Sequence, residues 1–213
     1  MPQVENRYVS TEKLAYWYFR LNGFLTMENF IVHPDINERP GQKTDADIYG
    51  VRFPFRAELD MLDDEVFASS DKTNFVFVEV TQGHCKLNGP WTAPPKRNIQ
   101  YVLSCIGAFP CVSLDSIAES LYDHGRFEIP SERYVIELIS VGMETSDKLR
   151  EAYPKVRQLL LSDMLRFIHR RFSKYWRQKA DHGQWDETGK RLWNYAYELP
   201  EDDFVRTVLG RLK

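Results

Sequence analysis

One apolar run in this chain carries a single carboxylate: Asn74-Phe75-Val76-Phe77-Val78-Glu79-Val80-Thr81. A Phe-Val-Phe-Val run with a further valine close behind fits a central strand covered on both faces. Alternation puts Phe75, Phe77, Glu79 and Thr81 on one face and Val76, Val78 and Val80 on the other. A carboxylate in such a strand is costly unless a cation or hydrogen-bond donors meet it. Upstream lies an acidic strand opening, Thr44-Asp45-Ala46-Asp47-Ile48-Tyr49-Gly50, in which Asp45, Asp47 and Tyr49 share a face. If the two strands pair, Asp47 and Glu79 converge on one hard cation.

At 213 residues the chain suits one domain, or a domain with a helical extension, and is long enough for a sizeable core. Its 43% apolar and 28% charged residues match a soluble globular protein. No apolar run reaches the roughly 18 residues that a membrane span needs. The opening Met-Pro-Gln-Val-Glu-Asn-Arg lacks the apolar core of a signal peptide. Cys85, Cys105 and Cys111 form neither a paired metal spacing nor an even disulfide framework. A cytoplasmic protein with reduced thiols is therefore expected. Charge is unevenly spread. Residues 155–180 hold eight Lys and Arg against Asp163 alone, so this segment carries +7 and the rest of the chain −10 of the overall −3. One basic helix on an acidic body fits a polyanion-binding face, and equally a solvated helix face.

Ser10 is placed to cap a helix running to Asn22, with Val9 and Leu14 as a hydrophobic staple and Gly23 at its end. Strands follow over Phe24–Val32, Asp45–Phe53 and Asn74–Thr81, with loops at His33–Thr44 and Gln82–Pro95. The polar stretch Pro54–Thr73 has room for a short irregular helix. Asn98–Phe109 reads as a helix and Arg133–Val141 as a strand. From Pro154, suited to the first helical position, a long amphipathic helix is expected to run towards Ala180. A last helical region holds Trp185, Leu192, Trp193 and Tyr197. This order points to an α/β domain with a mixed sheet and a C-terminal helical addition.

The order and spacing of Asp47, Glu79 and the leading helix resemble the PD-(D/E)XK superfamily of restriction-endonuclease-like nucleases, over roughly residues 10–142. The resemblance implies a restriction-endonuclease-like mixed central sheet flanked by helices within residues 1–145, with residues 146–213 as a helical extension packed on it. It implies Mg²⁺ or Mn²⁺ held by Asp47, Glu79 and the main-chain carbonyl of Val80. Two carboxylates suffice in principle, because magnesium usually keeps several waters. The family places a lysine two residues after the acidic position, and here that position is Thr81, which cannot serve as a cation. Lys86 and His84, in the loop that follows, are the candidate replacements. Glu12 matches an acidic residue that joins the metal site in several branches, although an acid is also favoured in any helix's first turn. Gln100 sits where nuclease branches carry a substrate- or metal-contacting glutamine, and an exposed surface glutamine reads the same way. Asp45 could reach a second metal, or face solvent at a strand edge.

The expected activity is metal-dependent hydrolysis of DNA, with RNA a less favoured substrate. Arg170, Arg171, Lys174, Arg177 and Lys179 would grip the phosphate backbone, while Phe172, Tyr175 and Trp176 pack inwards. The alternative is a catalytically inactive nuclease-fold protein that binds nucleic acid or a partner protein, for which Thr81 is the main support. More distant is an α/β scaffold in which the acidic pair is structural, with Glu79 paired to Arg52 or Arg56. A homodimer would suit an enzyme that cuts both strands, and no membrane partner is expected.

Overall fold

The computed structural model describes residues 8–33, 44–56, 63–67, 71–178 and 185–212. Helix α1 (Thr11–Leu21) starts where the Ser10 hydroxyl accepts the Lys13 N–H at 3.2 Å, with Val9 and Leu14 buried beside it. It ends at Asn22 and Gly23, whose φ of 79° is the left-handed conformation that glycine adopts without strain. The chain then forms an antiparallel meander of β1 (Leu25–Val32), β2 (Thr44–Arg52) and β3 (Thr73–Val80). A parallel neighbour needs a crossover, and three helices make it: α2 (Gly89–Thr92), α3 (Asn98–Ile106) and α4 (Leu114–His124). The chain returns through β4 (Arg126–Glu128) to β5 (Tyr134–Gly142), which lies parallel to β3.

The outer edge of β5 is shared between two short strands. β4 pairs antiparallel with its first half, and β6 (Arg157–Leu160), reached through α5 (Asp147–Ala152), pairs parallel with its second half. The result is a mixed six-stranded sheet in the order β1-β2-β3-β5-β4, with β6 also on β5. Three helices complete the chain: α6 (Leu161–Lys174), α7 (Glu187–Glu198) and α8 (Glu201–Leu209).

Both faces of β3 are covered, as its apolar run requires. Val76 and Val78 join Ile48, Ile139 and Val141 in a core closed by α1, α6, α7 and α8. Phe77 joins Ile136, Leu138 and Trp91 in a second core closed by α3 and α4. Each fully buried Val or Phe contributes about 1.5–3 kcal/mol, so register in this strand is strongly held.

The expected helix from Pro154 is corrected. Tyr153 and Pro154 lead into a turn, the backbone of 157–160 pairs with Ile139–Gly142, and the helix begins only at Leu161. Arg157 enters the sheet because its guanidinium meets the buried Glu137 at 3.2 Å. The segment expected to be wholly helical therefore also completes the sheet. The expected loop at His33–Thr44 falls mostly on residues 34–43, outside the described residues, and so do parts of Pro54–Thr73, where Glu65–Phe67 forms a single 3₁₀ turn. Among the described residues, no helix is long and apolar enough to cross a membrane.

Candidate active site

The β2–β3 register pairs Ile48 with Val78 and Tyr49 with Phe77; continued by one residue, it sets Asp47 opposite Glu79. Asp47 Oδ2 accepts the Val80 N–H at 2.8 Å, which fixes its carboxylate at the end of β3. Val80 itself packs partly buried against the core beneath α1 and α6. The two acids thus stand side by side, Asp47 half-buried and Glu79 only 5% exposed.

Neither carboxylate pairs with a Lys or Arg among the described residues. Glu79 is met instead by neutral donors: Trp91 Nε1–H at 2.6 Å on one oxygen and the Asn88 side-chain amide on the other. Burial, then the neighbouring charge of Asp47, pushes the Glu79 carboxyl from 4.5 up to about 8, against the pull of the Trp91 hydrogen bond. Asp47 is raised as well, by burial first, then by the charges of Glu12 and Asp45, with the Val80 N–H acting the other way. Four carboxylates therefore sense one another at this end of the sheet.

A second buried glutamate provides the contrast. Glu137, 1% exposed on β5, is met by both Arg126 and Arg157. That is the usual resolution of a buried charge, and Glu79 lacks it. Nor do the arginines considered as partners for Glu79 go there. Arg52 bonds the Asn22 and Phe67 carbonyls and Asp63, and Arg56 pairs with Asp63.

The loop supplying Asn88 and Trp91 is fastened to β5 and the residues beyond it. Met143 N–H donates to Gly83 O at 2.8 Å, Cys85 N–H to Glu144 O at 2.8 Å, and Ser140 Oγ–H to Lys86 O at 2.8 Å. Gly142 permits the approach: a Cβ there would lie 2.6 Å from Gly83 O and 2.9 Å from Cys85 N. Asn88 and Trp91 escaped sequence reasoning because their bond to Glu79 belongs to no local pattern. The available signal was Trp91 itself, since a buried indole N–H needs an acceptor.

The other candidates fall as follows. Thr81 Oγ1 accepts the Gly83 N–H at 3.3 Å, so its side chain serves the loop turn. His84 is exposed, with Nδ1 3.3 Å from Thr145 O and 3.4 Å from Glu144 Oε2. The Lys86 side chain is exposed, and neither it nor His84 forms an ion pair with Asp47 or Glu79. Glu12, half-buried in the first turn of α1, bonds the Ser10 hydroxyl and adds its charge to Asp47. Gln100 donates to Asp115 at 3.3 Å from α3, while its Oε1 is buried without a partner among the described residues.

On α6 the expected basic face is incomplete. Arg170 and Lys174 are exposed, as is Arg177 just beyond, but Arg171 is 3% exposed, 5.0 Å over Phe167 and 3.8 Å from Asp63. Its aliphatic stem borders the apolar stripe and its charge is met inside, so it does not reach the surface that a phosphate contact requires. Phe172 lies in the core, and Trp176 packs on Tyr197 and Trp193. Lys179 lies outside the described residues.

Among the described residues, no three His, Cys, Asp or Glu side chains stand close enough to hold a metal ion by themselves. The donors that the structure sets side by side are the carboxylates of Asp47 and Glu79. No protein-family model matches this chain, and no curated protein or solved structure matches it. The class that the fold itself defines is an α/β protein with a mixed sheet flanked by helices.

Proposed function

We propose that this chain is a metal-dependent nuclease hydrolysing phosphodiester bonds of DNA, with Asp47 and Glu79 holding Mg²⁺ or Mn²⁺. The observation that carries this reading is the contrast between two buried glutamates: Glu137 has two arginines, and Glu79 has only carboxylates and neutral donors around it. Two adjacent carboxylates with hard oxygen donors and no cationic side chain suit a divalent cation, which would displace the proton that Glu79 otherwise keeps. Each Glu79 oxygen accepts one hydrogen bond and keeps a second lone pair for a ligand. Once bound, the ion would lower the pKa of a coordinated water and offset charge on the phosphate.

The protein's own residues have narrower tasks. Asn88 and Trp91 hold the Glu79 carboxylate in one orientation, and the Val80 N–H does the same for Asp47. Thr81 offers no cation, so Lys86 or His84 must supply one from the loop. The exposed Arg170, Lys174 and Arg177 are the backbone contacts of this reading. The test is Mn²⁺-supported cleavage of plasmid and single-stranded DNA, with Asp47→Asn and Glu79→Gln purified in parallel. Cleavage by the wild type alone supports the assignment, and cleavage that survives both changes sinks it.

A second reading is favoured by Thr81 and by the loop's hold on both Glu79 oxygens: a nuclease-fold protein that binds nucleic acid without cutting it. It predicts salt-sensitive binding whose slope falls when Arg170 is neutralised, and no cleavage with any divalent ion.

A further inference from the structure

At the far end of α1 from Glu12, an open groove of about 750 Å³ is framed by the start of β1 and the residues just after β2. Its wall includes Tyr16, Arg20, Leu25, Phe53, Phe55 and Arg56, with no carboxylate among the described lining residues. In a chain of net charge −3, a surface with the exposed Arg20 and no carboxylate among its described lining residues favours an anion. The groove is also unusually apolar for a surface: Phe55 is 87% exposed, Leu25 65% and Phe53 54%. Single exposed apolar residues are ordinary, but several together mark a binding site.

Arg20 is exposed, lies 5.0 Å over the Trp17 ring and donates to the Tyr16 hydroxyl at 3.0 Å. Arg56 is already paired with Asp63, so it contributes little beyond shape. Glu12, Tyr16 and Arg20 fall at i, i+4 and i+8, one face of a helix. At about 1.5 Å per residue, Arg20 is about 12 Å along α1 from Glu12, whose charge acts on Asp47. One stripe of α1 thus joins the groove to the acidic site.

We propose that this groove docks an unpaired stretch of polynucleotide, its bases stacking on Phe55 and Phe53 and a phosphate meeting Arg20, as the strand runs along α1 towards Asp47 and Glu79. The direction of the strand rests on the nuclease reading; the docking itself does not. Exposed ring faces stack on bases only where the bases are free of a duplex. An apolar peptide would use the phenylalanines but has no need of a cation without a counter-acid, so the polyanion is the better fit.

The test measures fluorescence anisotropy of labelled oligo-dT, oligo-rU and a duplex of equal length, in EDTA, for the wild type, Phe55→Ala, Phe53→Ala and Arg20→Ala. Phe55 is too exposed for its truncation to disturb the fold, which circular dichroism and a melting curve check directly. The expected result is binding of either single strand in preference to duplex, weakened about tenfold or more by Phe55→Ala. Arg20→Ala should lower the salt slope by about 0.7. Equal affinity for wild type and Phe55→Ala, a preference for duplex, or no single-strand binding overturns the proposal. Phe55-dependent binding by a wild type that cleaves nothing leaves the groove standing and removes the nuclease. Cleavage with single-strand affinity indifferent to Phe55 and Arg20 does the reverse.

Discussion

Raising the pH should weaken this fold through one pair of side chains. Burial and the charge of Asp47 push Glu79 from 4.5 to about 8, and Asp47 moves the same way. Below about pH 4.5 Glu79 is protonated in the folded and unfolded chain alike and adds no pH dependence. Between 4.5 and about 8 the native chain keeps a proton that the unfolded chain releases. Stability therefore falls as pH rises through that window, and the loss is complete above it. One proton corresponds to about 1.4 kcal/mol per pH unit. From about pH 5.5 to about 7.5 that is about 3 kcal/mol, a large part of the roughly 5–15 kcal/mol typical of a folded domain. Urea denaturation in EDTA at the two pH values, on wild type and Glu79→Gln, isolates the pair, because the rest of the chain is common to both proteins. The gap between them should shift by about 3 kcal/mol in the variant's favour at the higher pH, or about 6–12 °C in Tm. Added Mg²⁺ at the higher pH should restore the wild type and leave the variant unchanged. Parallel pH profiles for the two proteins would refute the reasoning.

Three further outcomes follow from the same contacts. Trp91→Phe keeps a ring beside Phe77 but removes the donor to Glu79, so it should cost about 1.5–3 kcal/mol where Glu79 is ionised and less in acid, read by urea titration at both pH values. Glu137→Ala leaves Arg126 and Arg157 without their shared partner and should cost about 3 kcal/mol, read by thermal denaturation; an unchanged Tm would mean that the arginines find other acceptors. Gly142→Ala brings a methyl against two backbone atoms of the loop and should cost about 1–3 kcal/mol, with faster amide exchange at Cys85 and Met143; unchanged exchange would show that the loop yields freely.

Much of the frame was legible because its signals are local. The cap at Ser10, the glycine after α1 and the two-sided apolar run of β3 each follow from a few adjacent residues, and alternation with strand pairing was enough to bring Asp47 to Glu79. Helix α4 carries a local signal too, with Leu114, Ile117, Ala118, Leu121 and Tyr122 at helical spacing. β6 was not legible, since Arg-Gln-Leu-Leu has no alternation and becomes a strand only because β5 has a free edge to pair with. The burial of Arg171 was hidden for a similar reason. A basic run reads as surface until Asp63, far away in the chain, is seen to meet one member of it. Glu137 bears the same signature as Glu79, a lone acid in an apolar strand, and only tertiary structure separates the two.

That separation bears on what Glu79 is for. A glutamate serving packing alone would gain from the arrangement at Glu137, where arginines cancel the buried charge. At Glu79 the fold places two other carboxylates, Asp47 and Asp45, within electrostatic range and then fastens a loop whose two neutral donors orient the group without supplying a counter-charge. The arrangement destabilises the chain at neutral pH, and such local costs concentrate at functional sites. Under the proposed nuclease reading, the loop also limits where a cation beside the metal can come from. Thr81 is turned into the Gly83 turn, and Ser140 pins the Lys86 carbonyl, so only the flexible four-carbon stem of Lys86 is free to swing. His84 is held towards Glu144 and Thr145 and would have to break those contacts to turn inward. Of the two cations that the proposed nuclease reading can draw on, Lys86 therefore requires the smaller rearrangement. Lys86→Met should separate the two: it leaves the His84 contacts intact, so a selective loss of cleavage with unchanged DNA binding assigns the cation to Lys86, and full retained cleavage assigns it elsewhere.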